Sequence, residues 1–340
     1  MVEPFRWGIV GFGWVARDFA LPAILAAGDV LAGVYDPSEE AQAAVRRRAP
    51  GAFQHATLAS LLAAPDIEAV YVATPNHRHR GPVLAALAGG RPVLCEKPMA
   101  HTLEDAEAMA AAANGGTYGT AFDQRFHPAH RALRDLVRAG RLGTVTAIRI
   151  AYACWVGPEF APVGGPPGGA GDNWRADPVR AGGGALMDLA PHGLDLAQFL
   201  LDDRLVDIAA LTQQRVQPYA VDDGAMLVAR TGAGVLVSLH VAYNCPETLP
   251  RRRLEVLGTN GQAVAENTMG QDPGGSLVVT DATTGVSSAV PFSVASPFTG
   301  QMAAFARFVR GTADGGFDIN RDLHTMRLLH HAYRSDIACP

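Results

Sequence analysis

The chain is almost without lysine: of its 28 basic residues 27 are arginine, and the exception is Lys97. A guanidinium stays protonated at any working pH, whereas a partly buried ammonium shifts its pKa and can pass a proton. Any chemistry here that needs a side-chain amine therefore falls on one residue. Cysteine is also scarce. Cys95, Cys154, Cys245 and Cys339 are scattered without a C-x-x-C pair, which argues against a disulfide framework and for a reduced, intracellular protein. No apolar run nears the roughly 18 residues of a membrane span. Met1-Val2-Glu3-Pro4 leads into a strand-like stretch with no charged-then-apolar leader, so a cytoplasmic location is expected. There is no basic excess: the net charge is −5, which speaks against a nucleic-acid or membrane surface as partner. The triplets Arg46–Arg48 and Arg251–Arg253 lack flanking aromatics and read as solvated faces. His77-x-His79 with Cys95 gives no recognised ligand spacing, and no metal is expected.

At 340 residues the chain is too long for one ordinary core and suggests two domains. Up to residue 122, short apolar runs alternate with helical patterns. Strands are expected at Arg6–Val10, Val30–Tyr35, Ala69–Ala73, Pro92–Cys95 and Thr117–Ala121. Helices are expected at Trp14–Ala27, Ser38–Arg48, Leu58–Ala63, Pro82–Ala88 and Leu103–Ala113. That order gives βαβ units and a doubly wound parallel sheet. From 123 to 340 the pattern changes. A helix at Pro128–Ala139, a long strand at Thr144–Trp155 and a Gly/Pro-rich loop at Gly157–Gly171 come first. A glycine run then enters a helix ending at Leu201, and several strands follow between Val206 and Val290. Hairpin turns at Gly232-Ala233-Gly234 and Asn260-Gly261 imply an antiparallel sheet. Closing helices occupy about 297–336. The fold class is α/β, a Rossmann sheet followed by a second α/β domain.

Gly11-x-Gly13-x-x-Ala16 lies between the first strand and the first helix. In that context Gly11 makes the tight turn, and Gly13 lets the backbone approach a pyrophosphate at the helix N-terminus. Asp36 ends the second strand, 20 residues after Ala16. A carboxylate there accepts ribose hydroxyls and repels a 2′-phosphate, and no arginine follows it directly. NAD is expected rather than NADP.

Lys97 and the stretch Thr74-Pro75-Asn76 both follow sheet strands at the edge that faces the ligand crevice in doubly wound folds. Farther on, Asp188 and His192 are four apart and share one face of a helix. A carboxylate beside an imidazole raises its basicity and fixes its tautomer, as a general base requires. Here Asp188 is expected to orient His192, and the glycines Gly182–Gly184 to admit a ligand closely.

These motifs, with Glu96-Lys97-Pro98, Arg125-Phe126-x-Pro128 and Trp174-Arg175, run in order over most of the chain. Together they resemble the glucose–fructose oxidoreductase/inositol dehydrogenase (Gfo/Idh/MocA) family of NAD(P)-dependent oxidoreductases. The resemblance implies an N-terminal Rossmann domain and a C-terminal domain with an open-faced, mostly antiparallel sheet. Through that sheet a homodimer or homotetramer is expected. It implies catalysis by Lys97, Asp188 and His192. Cofactor contacts would come from Gly11, Phe12, Gly13, Trp14, Val15, Asp36, Thr74, Pro75, Asn76, His79, Glu96, Lys97 and Gln124. Substrate contacts would come from Lys97, Arg125, Trp155, Asn173, Trp174, Arg175, Asp188 and His192, with Tyr152 nearby. The chain departs from many members at Ala190-Pro191, where the proline is expected within the first helical turn. The implied reaction is hydride transfer between a nicotinamide and a secondary alcohol or ketone of a sugar or polyol. Two other readings stand beside it: a nucleotide-ketosugar or imine reductase of the same fold, and a non-catalytic regulator that senses the dinucleotide.

Overall fold

The computed structural model describes residues 3–157, 173–312 and 316–335. Beyond its first residue, the Gly157–Gly171 loop lies outside them. The chain divides into two compact units. The first comprises residues 3–122 and 298–326, the second 123–157, 173–297 and 327–335. Residues 298–326, which sequence grouped with the second domain, belong to the first unit.

The first unit is built on six parallel strands: β1 (Arg6–Val10), β2 (Val30–Tyr35), β3 (Phe53–Gln54), β4 (Ala69–Val72), β5 (Val93–Cys95) and β6 (Tyr118–Thr120). Their order is β3-β2-β1-β4-β5-β6. β4 and β5 are buried at every position, as strands covered on both faces must be, which explains their unbroken apolar runs. The strand order reverses between β1 and β4, and a crevice forms outside the carboxyl ends at such a point. The first helical segment holds a π-helical stretch, Ala16–Ala20, before the α-helix Leu21–Ala26. Ser38 Oγ and Thr102 Oγ1 cap the next helices by accepting from Ala41 N and Asp105 N. The helix Pro297–Val309 returns to this core. Phe305 packs against Trp7 and, edge-on, against Phe317.

The second unit carries an eight-stranded mixed sheet: β7 (Val145–Ala153), β8 (Leu205–Gln213), β9 (Gly224–Thr231), β10 (Leu236–Ala242), β11 (Arg252–Gly258), β12 (Gly261–Glu266), β13 (Ser276–Asp281) and β14 (Ser287–Ala289). Their order is β14-β13-β12-β11-β7-β10-β9-β8. β7 and β10 pair in parallel, and every other neighbour is antiparallel. The inner face points Ile148, Ile150, Leu239, Val241, Leu254 and Val256 into the core. The helix Ala185–Leu201 packs over β7, β9 and β10. It lies close because position 193 is glycine: a Cβ there would sit 2.5 Å from Leu239 Cδ2. Pro191 falls at the seventh residue of this helix rather than in its first turn. It cannot donate to the Met187 carbonyl, yet the helix continues to Leu201, held by its packing on the sheet. β3, β14 and the short helix Pro178–Ala181 were not foreseen, being too short to show a period.

Candidate active site

In the first unit the crevice edge is shaped by backbone. Gly11 adopts φ +87° and donates to Tyr35 O at 2.9 Å. A Cβ on it would press on the Ala73 carbonyl and Thr74 Cγ2 at 3.0 Å, so only glycine fits. Gly13 is different: a Cβ there would meet no described atom within 4 Å. The open space beside its backbone suits a phosphate group. Asp36 Oδ2 accepts from Phe12 N at 2.7 Å, and its Oδ1 accepts from Ser38 N at 2.8 Å. The carboxylate is thereby pinned at the end of β2, beside the glycine turn.

The loops after β4 and β5 are joined by His79, which is fully buried. Its Nε2 lies 2.9 Å from Thr74 O and its Nδ1 3.0 Å from Pro98 O. Burial holds the imidazole down to about 4, outweighing the carbonyls that favour its charged form. His79 therefore ties the two loops together. Glu96 accepts from the Tyr71 hydroxyl and from Lys97 N. The Lys97–Pro98 peptide is cis.

In the second unit His192 is 3 % exposed and its Nδ1 lies 3.1 Å from Asp123 Oδ1, although neither atom is aligned for a hydrogen bond. Its Nε2 likewise has no hydrogen-bond partner among the described residues. The Tyr152 ring stands edge-on to the imidazole, centroids 5.4 Å apart. Burial, then the Asp123 charge, pushes the Tyr152 phenol well above its usual range. Asp188 is engaged elsewhere: it accepts from the Tyr243 hydroxyl at 2.7 Å and lies 3.6 Å from Arg175 Nε. The helix does bring Asp188 and His192 to one face, but the carboxylate against the imidazole belongs to Asp123. Sequence reasoning passed over Asp123. The only signal was its place just ahead of Gln124-Arg125-Phe126.

Two residues expected at ligands are held by partners within the fold. Arg125 is 1 % exposed, and its guanidinium grips Asp195 with both Nε and a terminal nitrogen. Gln124, expected at the cofactor, is buried and donates to Asp123 Oδ2 and Gly270 O, both at 2.8 Å. The glycine run is filled from within. A Cβ on Gly184 would fall 1.9 Å from Asp222 O, and one on Gly183 2.1 Å from the Tyr333 hydroxyl. The Asp222 carboxylate caps the helix by accepting from Gly184 N and Leu186 N. Gly183 and Gly184 thus admit the protein's own chain.

Nearer the solvent, Arg175 stacks 4.4 Å over the Trp174 ring. Asn173 donates to the Tyr219 hydroxyl at 3.3 Å, and its Oδ1 has no hydrogen-bond partner among the described residues. Trp155 is partly exposed and bridges to Asn244. Burial, then Asp188, pushes the Cys154 thiol up to about 12. Among the described residues no group of three or more His, Cys, Asp or Glu could hold a metal, and no helix is long and apolar enough to cross a membrane.

Residues 5–117 match the family model for an oxidoreductase family with an NAD-binding Rossmann fold, and residues 130–264 match the GFO/IDH/MocA C-terminal domain. Among curated proteins, the 1,5-anhydro-D-fructose reductase of Ensifer adhaerens is 33 % identical over 90 % of this chain and 88 % of its own length. The D-xylose 1-dehydrogenase (NADP(+)) 2 of Haloferax volcanii is 27 % identical, covering 97 % and 96 %. Among solved structures, the aldose–aldose oxidoreductase from Caulobacter crescentus superposes with a TM-score of 0.85 at 23 % identity, over 98 % of both chains. That likeness speaks for the fold.

Removing one partner of the Arg125–Asp195 pair strands a buried charge, which costs about 3–5 kcal/mol. Asp195→Ala is expected to lose that much in urea unfolding of the second unit. The double variant Arg125→Leu/Asp195→Leu, with no stranded charge, is expected to recover much of it. A loss below about 1 kcal/mol in the single variant contradicts the structural role.

Proposed function

The chain belongs to the GFO/IDH/MocA family of oxidoreductases, and from that premise we propose that it moves hydride between a nicotinamide dinucleotide and a secondary alcohol or ketone carbon of a sugar or cyclitol. The observation that carries the reading is one chain holding both a dinucleotide-type glycine turn and a buried imidazole whose Nε2 has no partner among the described residues. The names of the relatives, sugar reductases and dehydrogenases, support the substrate class. The Gly11–Val15 turn and the helix N-terminus behind it suit the pyrophosphate, and Asp36 suits the adenosine ribose. When bound, the nicotinamide gives or takes the hydride.

His192 takes the hydroxyl proton as the alcohol becomes a ketone, and returns it in the reverse direction. Lys97 donates a hydrogen bond to the same oxygen, where negative charge grows. Asp188, braced by Tyr243 and Arg175, accepts from a second substrate hydroxyl. Trp174 offers a ring face to the sugar, and Asn173 and Trp155 complete the contacts. Relief of one carboxylate–phosphate repulsion is worth about 1–4 kcal/mol, so Asp36 sets a preference for NAD.

The outer face of the second sheet exposes Leu211, Met226, Val228 and Leu236, each 60–61 % accessible. Leu211 stands opposite Met226 across β8 and β9. An apolar group of that kind marks an association surface, and a second copy of this chain is the proposed occupant.

Three tests follow. Reduced-nicotinamide absorbance is read with NAD and NADP side by side, against 1,5-anhydro-D-fructose, xylose and inositol, in both directions. Turnover is expected with at least one pair, and Lys97→Arg and His192→Asn each lose about two orders of magnitude or more with NAD binding kept. Binding without any turnover would favour the regulator instead. Asp36→Ala is expected to shift preference toward NADP by about tenfold or more, and an unchanged ratio removes Asp36 from cofactor choice. Light scattering is expected to show an oligomer that Met226→Asp weakens; a monomeric wild type refutes the sheet-face contact.

A further inference from the structure

Resting on the proposed role of His192 as acid and base, we propose that Asp123, held in place by Gln124, is the positioning carboxylate of the imidazole, in the role sequence assigned to Asp188. Asp123 is 2 % exposed, and its Oδ1 stands 3.1 Å from His192 Nδ1. A carboxylate at Nδ1 keeps the proton there, leaves Nε2 as the basic nitrogen and favours the imidazolium that forms during oxidation.

The other carboxylate oxygen is not free to swing. Oδ2 accepts from Gln124 Nε2 at 2.8 Å, and that amide cannot rotate without loss. Its nitrogen also donates to Gly270 O at 2.8 Å, while its oxygen accepts from Gly270 N at 3.4 Å. One glycine thus reads both ends of the amide and decides which end meets Asp123. His130 extends the support, with Nδ1 2.8 Å from Gln124 O and Nε2 2.9 Å from Thr268 Oγ1. Tyr152 from β7 limits the ring's rotation by its edge-on contact.

The charged and titratable groups around the pair come from each packed element. Asp188 lies one turn earlier on the histidine's own helix and is bound to Tyr243 and Arg175. Asp195, one residue beyond Leu194, is neutralised by Arg125. His127 and His130 flank Asp123 and stay neutral, since burial holds them down to about 4 and about 3. Asp123 is the carboxylate whose oxygen stands 3.1 Å from the His192 ring.

The decisive measurement is an NMR titration of the His192 ring in the full-length protein, which needs no substrate. Its signal is assigned by its loss in His192→Gln. Asp123→Asn is expected to lower the imidazole pKa by about one unit or more, and Asp188→Asn to move it much less. Where turnover is found, Asp123→Asn lowers kcat by about tenfold or more with KM little changed. The acid limb of kcat/KM for alcohol oxidation then moves to lower pH, and Asp123→Glu restores part of the rate. Gln124→Met, which leaves Asp123 in place but unbraced, gives the same shift in smaller measure and serves if Asp123→Asn does not fold. An imidazole pKa that follows Asp188→Asn, or neither substitution, overturns the assignment. Absent turnover in the wild type with an Asp123-dependent pKa would instead defeat the enzymatic reading and leave the pairing intact.

Discussion

The buried pair Arg125–Asp195 anchors the second unit's chemistry. Asp195 sits on the helix that covers the mixed sheet, and Arg125 sits in the short turn Asp123–Phe126 that precedes the next helix. Their two-pronged contact locks turn to helix at full burial. A guanidinium fork and a carboxylate match each other in geometry as well as charge, so the lock is directional. Asp123 and His192, each two or three residues from the pair, are brought together by the same registration. An ion pair hidden from solvent adds little net stability over an apolar replacement, but it specifies one arrangement.

The first unit depends on backbone rather than charge. At Gly11 a left-handed conformation and a wall formed by the Ala73 carbonyl leave room for hydrogen alone. Asp36 then reaches back from β2 to the Phe12 amide, so the turn and the carboxylate are one structure. His79 staples the loops that follow β4 and β5 through carbonyls on both sides of its ring. Burial keeps the ring neutral against the pull of those carbonyls, so it donates to one of them at a time.

Much of this was legible in the residues. Unbroken apolar runs marked β4 and β5, because strands covered on both faces need apolar side chains throughout. Ser38 and Thr102 cap their helices through a local hydrogen bond that needs only neighbours in sequence. The glycine turn and Asp36 were readable for the same reason: both are short-range features with strict steric demands. What could not be read was long-range. Gly183 and Gly184 looked like room for a ligand, yet Tyr333 and Asp222 fill it from about 150 and 38 residues away. Pro297–Val309 looked like a closing helix of the second domain, yet its aromatic side chains complete the first core.

The class of fold, the glycine turn, the lone side-chain amine of Lys97 and the helix bearing Asp188 and His192 follow from local sterics, period or composition, and so are written in the residues themselves. Tertiary structure alone decided which carboxylate meets the imidazole. Spacing by four on a helix places two side chains on a common face, but it does not choose their partners. That choice was made by Tyr243, Arg175 and Gln124, which claim Asp188 and aim Asp123 from segments that only folding brings together.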